Sequence, residues 1–285
     1  MAGIQVTDIG PVFGSEVAGV DLRTELDAET CETLRSLFDD RGVLLFRDVD
    51  FDYASQQRLC RMLIGDEGSE DAASQVPRFI SNVEAEGLAP FGRLMFHVDS
   101  MWSPEPFQVL SLYASKVEPG AATTSLASAV HAWETLPADL RARVEGLHAV
   151  QIAGQMMNRG GDDLVNPEFD LDYSAVTPVA RRHPRTGKTI LYVSQQMTRE
   201  IVELPPDESE ELLQTLFAHL YDPALIYEHE WRTGDLVVFD NLAMQHARGN
   251  VVPDGPARTL RKVMLPMPKD IAEMTRPRYT AATGR

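Results

Sequence analysis

Cysteine is nearly absent: only Cys31 and Cys60 occur in 285 residues. That excludes a disulfide framework and fits a reducing compartment. Both lie in segments with helical spacing and apolar neighbours, so buried thiols are expected. No apolar run approaches the roughly 20 residues that a membrane-spanning helix needs, and Met1 to Asp8 lacks the basic-then-apolar order of a secretion signal. A soluble, cytoplasmic protein without a membrane partner is expected. Positive charge is also scarce, with 26 Lys and Arg against 43 Asp and Glu and a formal net charge of −17. Nucleic acids and acidic membranes need basic patches, so neither is an expected partner. A small anion is a different matter, because one buried arginine can hold a carboxylate against the global field. Repeats and linkers rich in Pro, Gly or Ser are missing too. One domain over residues 1–285 is therefore expected, with a core large enough to stand without disulfides.

What is present begins with a short strand at Ile4-Gln5-Val6 and a turn marked by Gly10 and Gly14. Asp27 reads as an N-cap for a helix that carries Cys31, Leu34, Leu37 and Phe38 inward and stops at Gly42. Val43-Leu44-Leu45-Phe46 is a continuous apolar run, the pattern of a strand buried on both faces. A second helix is predicted from about Tyr53 to Ile64. Phe107 to Val117 reads as a strand and Leu126 to Leu136 as a short helix, with Pro137 opening another. Val176–Ala180 and Thr189–Val193 flank a turn and predict a hairpin. Glu208 to Tyr221 is an amphipathic helix, Leu236 to Phe239 a strand, and Leu260 to Leu265 the last strand. Residues 154–173 contain paired glycines, several Asp and Asn and little periodicity, which predicts a lid or loop insertion. Many strands with a few flanking helices suggest a mainly β, double-stranded β-helix or jelly roll.

Three residues can carry metal chemistry. His97 and Asp99 are two apart, and on a strand or its end such positions face the same way. Taken alone, His-x-Asp is equally a hydrogen-bonded pair. His246 follows a buried strand and a polar exit, in Phe239-Asp240-Asn241-Leu242-Ala243-Met244-Gln245-His246. Two histidines and one carboxylate form the facial set of non-haem Fe(II) oxygenases and leave three positions open. Arg258 lies twelve residues after His246, where a guanidinium could fork onto a carboxylate. Thr124 reads as a cap or turn residue. The remaining histidines, His131, His148, His183, His219 and His229, are read as packing or surface residues.

With those residues in place, the chain resembles the taurine dioxygenase family of Fe(II)/2-oxoglutarate-dependent oxygenases over nearly its whole length. The resemblance rests on Val12 to Leu22, on Arg182-His183-Pro184-Arg185-Thr186-Gly187-Lys188, and above all on Trp231 to Asn241 followed by His246. It implies that His97, Asp99 and His246 are the iron ligands. It also implies that Thr124 helps hold 2-oxoglutarate while Arg258 pairs with the distal carboxylate. Arg261 competes for that last role, but Arg258 and Lys262 are four apart, as are the two family arginines. Lys262 then stands at a substrate-contacting position, Trp102 replaces a pocket phenylalanine, and Arg93 is a third candidate substrate contact. The halogenase relatives lose the carboxylate that Asp99 supplies here.

The resemblance implies oxidation of a small-molecule substrate with Fe(II), 2-oxoglutarate and O2, releasing succinate and CO2, in a homo-oligomer, dimer or tetramer. No histidine precedes His97, so the sulfonate-binding histidine of taurine dioxygenase is missing and a substrate other than taurine is expected. Lys262 and Trp102 suggest an organic anion with an apolar part. Two alternatives stay open at this point: a non-catalytic jelly-roll binding protein, and a metal-dependent hydrolase or isomerase on the same scaffold.

Overall fold

The computed structural model describes residues 3–67, 77–153 and 174–266. The expected lid at residues 154–173 lies outside them. The first half contains β1 (Gln5–Asp8), β2 (Ser15–Ala18), α1 (Ala28–Arg41), β3 (Val43–Phe46), α2 (Tyr53–Ile64), β4 (Arg78–Ser81), β5 (Gly92–His97), β6 (Val109–Val117), β7 (Thr124–Ser128), α3 (Ala129–Thr135) and α4 (Ala138–Val144). The second half contains β8 (His148–Ile152), β9 (Ser174–Pro178), β10 (Ala180–Arg182), β11 (Thr189–Leu191), β12 (Thr198–Ile201), α5 (Pro206–Leu220), β13 (Tyr227–His229), β14 (Leu236–Asp240), β15 (Met244–Val251) and β16 (Arg258–Leu265).

Local chemistry sets the entry to the barrel. The Asp27 carboxylate accepts the Thr30 N–H at 2.7 Å and opens α1. Gly42 closes it with φ 70° and donates its N–H to Phe38 O at 2.9 Å. A side chain at Gly42 would be strained twice, because its Cβ would also lie 3.0 Å from Met244 Sδ on β15. The chain then drops directly into β3. The alternation of β3 explains its continuous apolar run: Leu44 and Phe46 pack under α1 and α2 beside Leu236 and Val238, whereas Val43 and Leu45 face Leu126 and Met244 across the barrel with Val237 and Phe239. Each such fully buried side chain stabilises the fold by roughly 1.5–3 kcal/mol relative to exposure.

Seven strands form the larger sheet in the order β1-β2-β3-β14-β6-β16-β4, and four form the facing sheet in the order β13-β7-β15-β5. These two sheets make the jelly roll. A three-stranded sheet, β12-β8-β9, and the pair β10-β11 extend it, with α3 and α5 packed on a third apolar cluster. No helix among the described residues is long and apolar enough to cross a membrane.

Three sequence expectations need correction. Leu126 to Ser128 belong to β7 rather than to a helix, because Leu126 is needed in the barrel core and pairs with His246. Thr124 is accordingly a strand residue and not a cap. The predicted hairpin is shorter and shifted: β10 pairs with β11, while β9 pairs with β8 in another sheet. Cys60 is buried as expected, but Cys31 is only half-buried.

Candidate active site

β5 and β15 run antiparallel in the smaller sheet, and their register sets His97 directly opposite His246. The imidazole rings lie 4.1 Å apart between centroids. His97 ends β5; Asp99 follows in a turn rather than on the strand itself. The turn nevertheless returns the carboxylate to the histidines, with Asp99 Oδ1 3.5 Å from His97 Nε2. Ligand-capable atoms of His97, Asp99 and His246 all lie within 4.8 Å of one another.

Protonation states suit a divalent cation. His97 Nδ1 is 2.7 Å from Met95 O; a carbonyl can only accept, so Nδ1 carries the proton and Nε2 presents its lone pair. His246 Nδ1 is buried with no hydrogen-bond partner, an orphaned nitrogen that a metal ion would satisfy. Burial pushes His246 well below the ordinary imidazole range and keeps it in the neutral, ligating form. Burial opposes ionisation of Asp99, yet Lys262 and the two histidines outweigh it and hold the carboxyl well below the usual carboxylate range. Lys262 Nζ forms an ion pair with the second oxygen of Asp99. Two imidazoles and one carboxylate at a buried strand end fit a borderline divalent transition metal.

The position of Asp99 depends on a residue that the sequence did not single out. Asn241 is fully buried, accepts the Asp99 N–H at 3.0 Å and donates to Asp99 O at 3.0 Å and Phe107 O at 2.9 Å. Ser100, with φ 57°, donates to Asp99 O at 2.6 Å and accepts the Phe107 N–H at 3.2 Å. Asp240 Oδ1 in turn accepts the N–H groups of Leu242 and Ala243, each at 3.0 Å, which fixes the turn between β14 and β15. The same turn thus holds the Asp99 backbone and launches the strand that bears His246. The polar exit after β14 was the only signal for Asn241, and sequence spacing could not reveal a partner 142 residues away.

Beside the metal-capable cluster lies a buried cation without a counter-charge among the described residues. Arg258 begins β16, is 3% exposed, and donates through Nε to Ala122 O at 2.9 Å and through Nη2 to Thr124 Oγ1 at 3.0 Å. Trp231 Nε1 also donates to Thr124 Oγ1 at 3.0 Å. With both lone pairs engaged, the threonine hydroxyl proton is left to donate to a ligand. Burial and the charge of Arg248 lower Arg258 to about 9, so it stays protonated at neutral pH. Arg261 faces the other way: it donates to Gln56 Oε1 at 2.7 Å and Phe51 O at 2.8 Å and lies over the Tyr113 ring. Trp102 is 9% exposed and packs in the cluster that holds Val98 and Met101. Arg93 is exposed on β5, in phase with Met95 and His97 but four positions from the latter.

The sequence matches the family described as taurine catabolism dioxygenase TauD, TfdA family, over residues 5–264. The chain belongs to the TauD/TfdA family. It is 29% identical over 284 residues to pentalenolactone F synthase of Streptomyces avermitilis, covering 90% of this chain and 91% of that protein. It is 28% identical over 282 residues to the alpha-ketoglutarate-dependent 2,4-dichlorophenoxyacetate dioxygenase of Cupriavidus pinatubonensis, covering 88% and 94% respectively. A crystal structure of a taurine dioxygenase from Burkholderia xenovorans superposes with a TM-score of 0.74 at 26% identity and covers 92% of this chain and 90% of its own. This TauD/TfdA member is therefore an oxidoreductase of the 2-oxoglutarate-dependent dioxygenase class, built as a jelly roll around a candidate metal site.

Proposed function

We propose that His97, Asp99 and His246 hold one Fe(II), and that Thr124 and Arg258 hold the distal carboxylate of 2-oxoglutarate. The observation that carries this reading is the pairing of a buried His-Asp-His cluster with a buried arginine on the facing sheet that meets no carboxylate among the described residues. When bound, Fe(II) supplies the activation of O2 that couples decarboxylation of 2-oxoglutarate to oxidation of a substrate, with release of succinate and CO2. The protein contributes position. Asn241 and Ser100 fix the Asp99 turn, Met95 O sets the His97 tautomer, and Trp231 orients the Thr124 hydroxyl. Arg258 offers a planar fork for a carboxylate in a site where burial strengthens the attraction. The ligand strands come from one sheet and Arg258 from the other, which supports one catalytic domain rather than two.

The substrate in this reading is a small organic anion with an apolar body. Lys262 supplies a charge beside Asp99, and Trp102 supplies an aromatic wall near Val98. The relative named for 2,4-dichlorophenoxyacetate acts on such an anion. Free thiols at Cys31 and Cys60 suit a cytoplasmic setting. The test is a panel of carboxylates and sulfonates assayed for substrate-stimulated succinate release with added Fe(II). Succinate release that depends on Fe(II), 2-oxoglutarate and one of these anions supports the reading; 2-oxoglutarate turnover independent of Fe(II) would refute it.

A further inference from the structure

Arg248 is a further buried arginine, the one whose charge acts on Arg258. It lies two residues beyond His246 on β15, and strand alternation turns both side chains to the same face. Its Cα partners are Leu94 on β5 and Thr124 on β7. Thr124 Oγ1 is the atom that receives Arg258 Nη2 at 3.0 Å, so the Arg248 backbone stands level with the Thr124–Arg258 pair, and its guanidinium reaches to the β5 side. It is 5% exposed. Nη1 donates to Ala89 O, and Nη2 donates to Phe91 O at 3.0 Å and Gly92 O at 2.8 Å, whereas Nε is buried with no partner.

Among the described residues neither Arg248 nor Arg258 makes an ion pair with a carboxylate. Two buried guanidiniums near enough for the charge of Arg248 to act on Arg258, in a chain with a net charge of −17, are a costly arrangement unless a ligand supplies the negative charge. A neutral donor could bind the carbonyls of the turn before β5; the charge is the feature in need of an explanation. We propose that Arg248 is a positioning and specificity-determining residue of the cosubstrate pocket. Its charge adds to that of Arg258 and favours a 2-oxoacid with a second carboxylate, while its fork holds the entry of β5, the strand that ends in His97. This rests on the assignment of 2-oxoglutarate to Thr124 and Arg258.

The test compares 2-oxoglutarate with 2-oxovalerate, which has the same five-carbon chain and 2-oxoacid head but no distal carboxylate. Anaerobic calorimetry on Fe(II)-loaded protein gives both dissociation constants without turnover. In Arg248→Met the constant for 2-oxoglutarate should rise about tenfold, the scale of one unit charge lost at several ångströms in a partly buried site, while that for 2-oxovalerate should stay within about twofold. Arg248→Lys, which keeps the charge and loses the fork, should retain most of the wild-type preference. Equal weakening of both oxoacids in Arg248→Met would reduce Arg248 to a structural staple and overturn the proposal, as would no change in either. Arg258→Met separates the two layers. If it weakens 2-oxoglutarate and Arg248→Met does not, only the present inference falls. If neither variant weakens it, the pocket assignment falls as well.

Discussion

Arg258→Met is the sharpest perturbation of the cosubstrate pocket. The guanidinium is 3% exposed, donates to one carbonyl and one hydroxyl, and meets no carboxylate of the protein among the described residues. Methionine keeps much of the aliphatic length and removes only the charged fork. A fully desolvated charge pair truncated on one side costs about 2–5 kcal/mol, which corresponds to roughly 30-fold to several-thousand-fold in affinity. The apo protein should be no less stable than wild type, because removal of an uncompensated buried cation offsets the two lost hydrogen bonds. Anaerobic calorimetry of 2-oxoglutarate and a denaturant melt of the apo form measure the two effects separately. Arg261→Met is the matched control. Its guanidinium serves Gln56 and the Phe51 carbonyl beside α2, so it should lower stability and leave 2-oxoglutarate affinity within about twofold. The reasoning is refuted if Arg261→Met weakens 2-oxoglutarate and Arg258→Met does not.

Three further outcomes are expected. Asn241→Ala removes three buried hydrogen bonds around Asp99 and Phe107 and should cost about 2–4 kcal/mol of stability; Fe(II) titration should show weaker binding as well, and unaltered metal affinity would remove Asn241 from the list of positioning residues. Asp240 is opposed by burial, but the His183 hydrogen bond and the charges of His183 and Arg185 hold its carboxyl below the usual range. The stability it contributes is thus present above the unfolded carboxylate pKa near about 4 and is lost as pH falls through the lower folded value. Asp240→Asn should reduce the urea midpoint at neutral pH and flatten its decline in acid, whereas parallel acid limbs would refute that linkage. Trp102→Ala should reduce substrate-stimulated succinate release for ring-bearing anions more than for small aliphatic ones in the carboxylate and sulfonate panel. Efficient wild-type turnover of taurine, or a strictly cationic substrate, would show that Trp102 and Lys262 had been misread.

Sequence legibility followed the range of the interactions. α1 was readable to the residue because Asp27 and Gly42 cap it locally, and β3 because an uninterrupted apolar run demands burial on both faces. The His97–Asp99 spacing brought attention to the right turn, but its strand-face rationale covered only half of the pair. Asp99 leaves the strand, and Asn241 and Ser100, not alternation, return its carboxylate. The helix expected over Leu126 to Leu136 starts only at Ala129, because Leu126 to Ser128 complete β7, whose pairing with β15 is a long-range decision. Likewise Thr124 looked like a turn residue until β16 and Trp231 were brought against it. Arg261 and Arg258 differ in the sequence by strand phase alone; Gln56 and Phe51 on one side and Ala122 and Thr124 on the other show where each points.

The central claim is that one metal ion joins His97, Asp99 and His246, and anaerobic Fe(II) titration of wild type and His246→Ala tests it most directly. The account predicts one Fe(II) per wild-type chain. His246→Ala should lose binding and succinate release yet keep the circular dichroism spectrum of the folded protein. Stoichiometric Fe(II) binding with undiminished 2-oxoglutarate turnover in His246→Ala would contradict it.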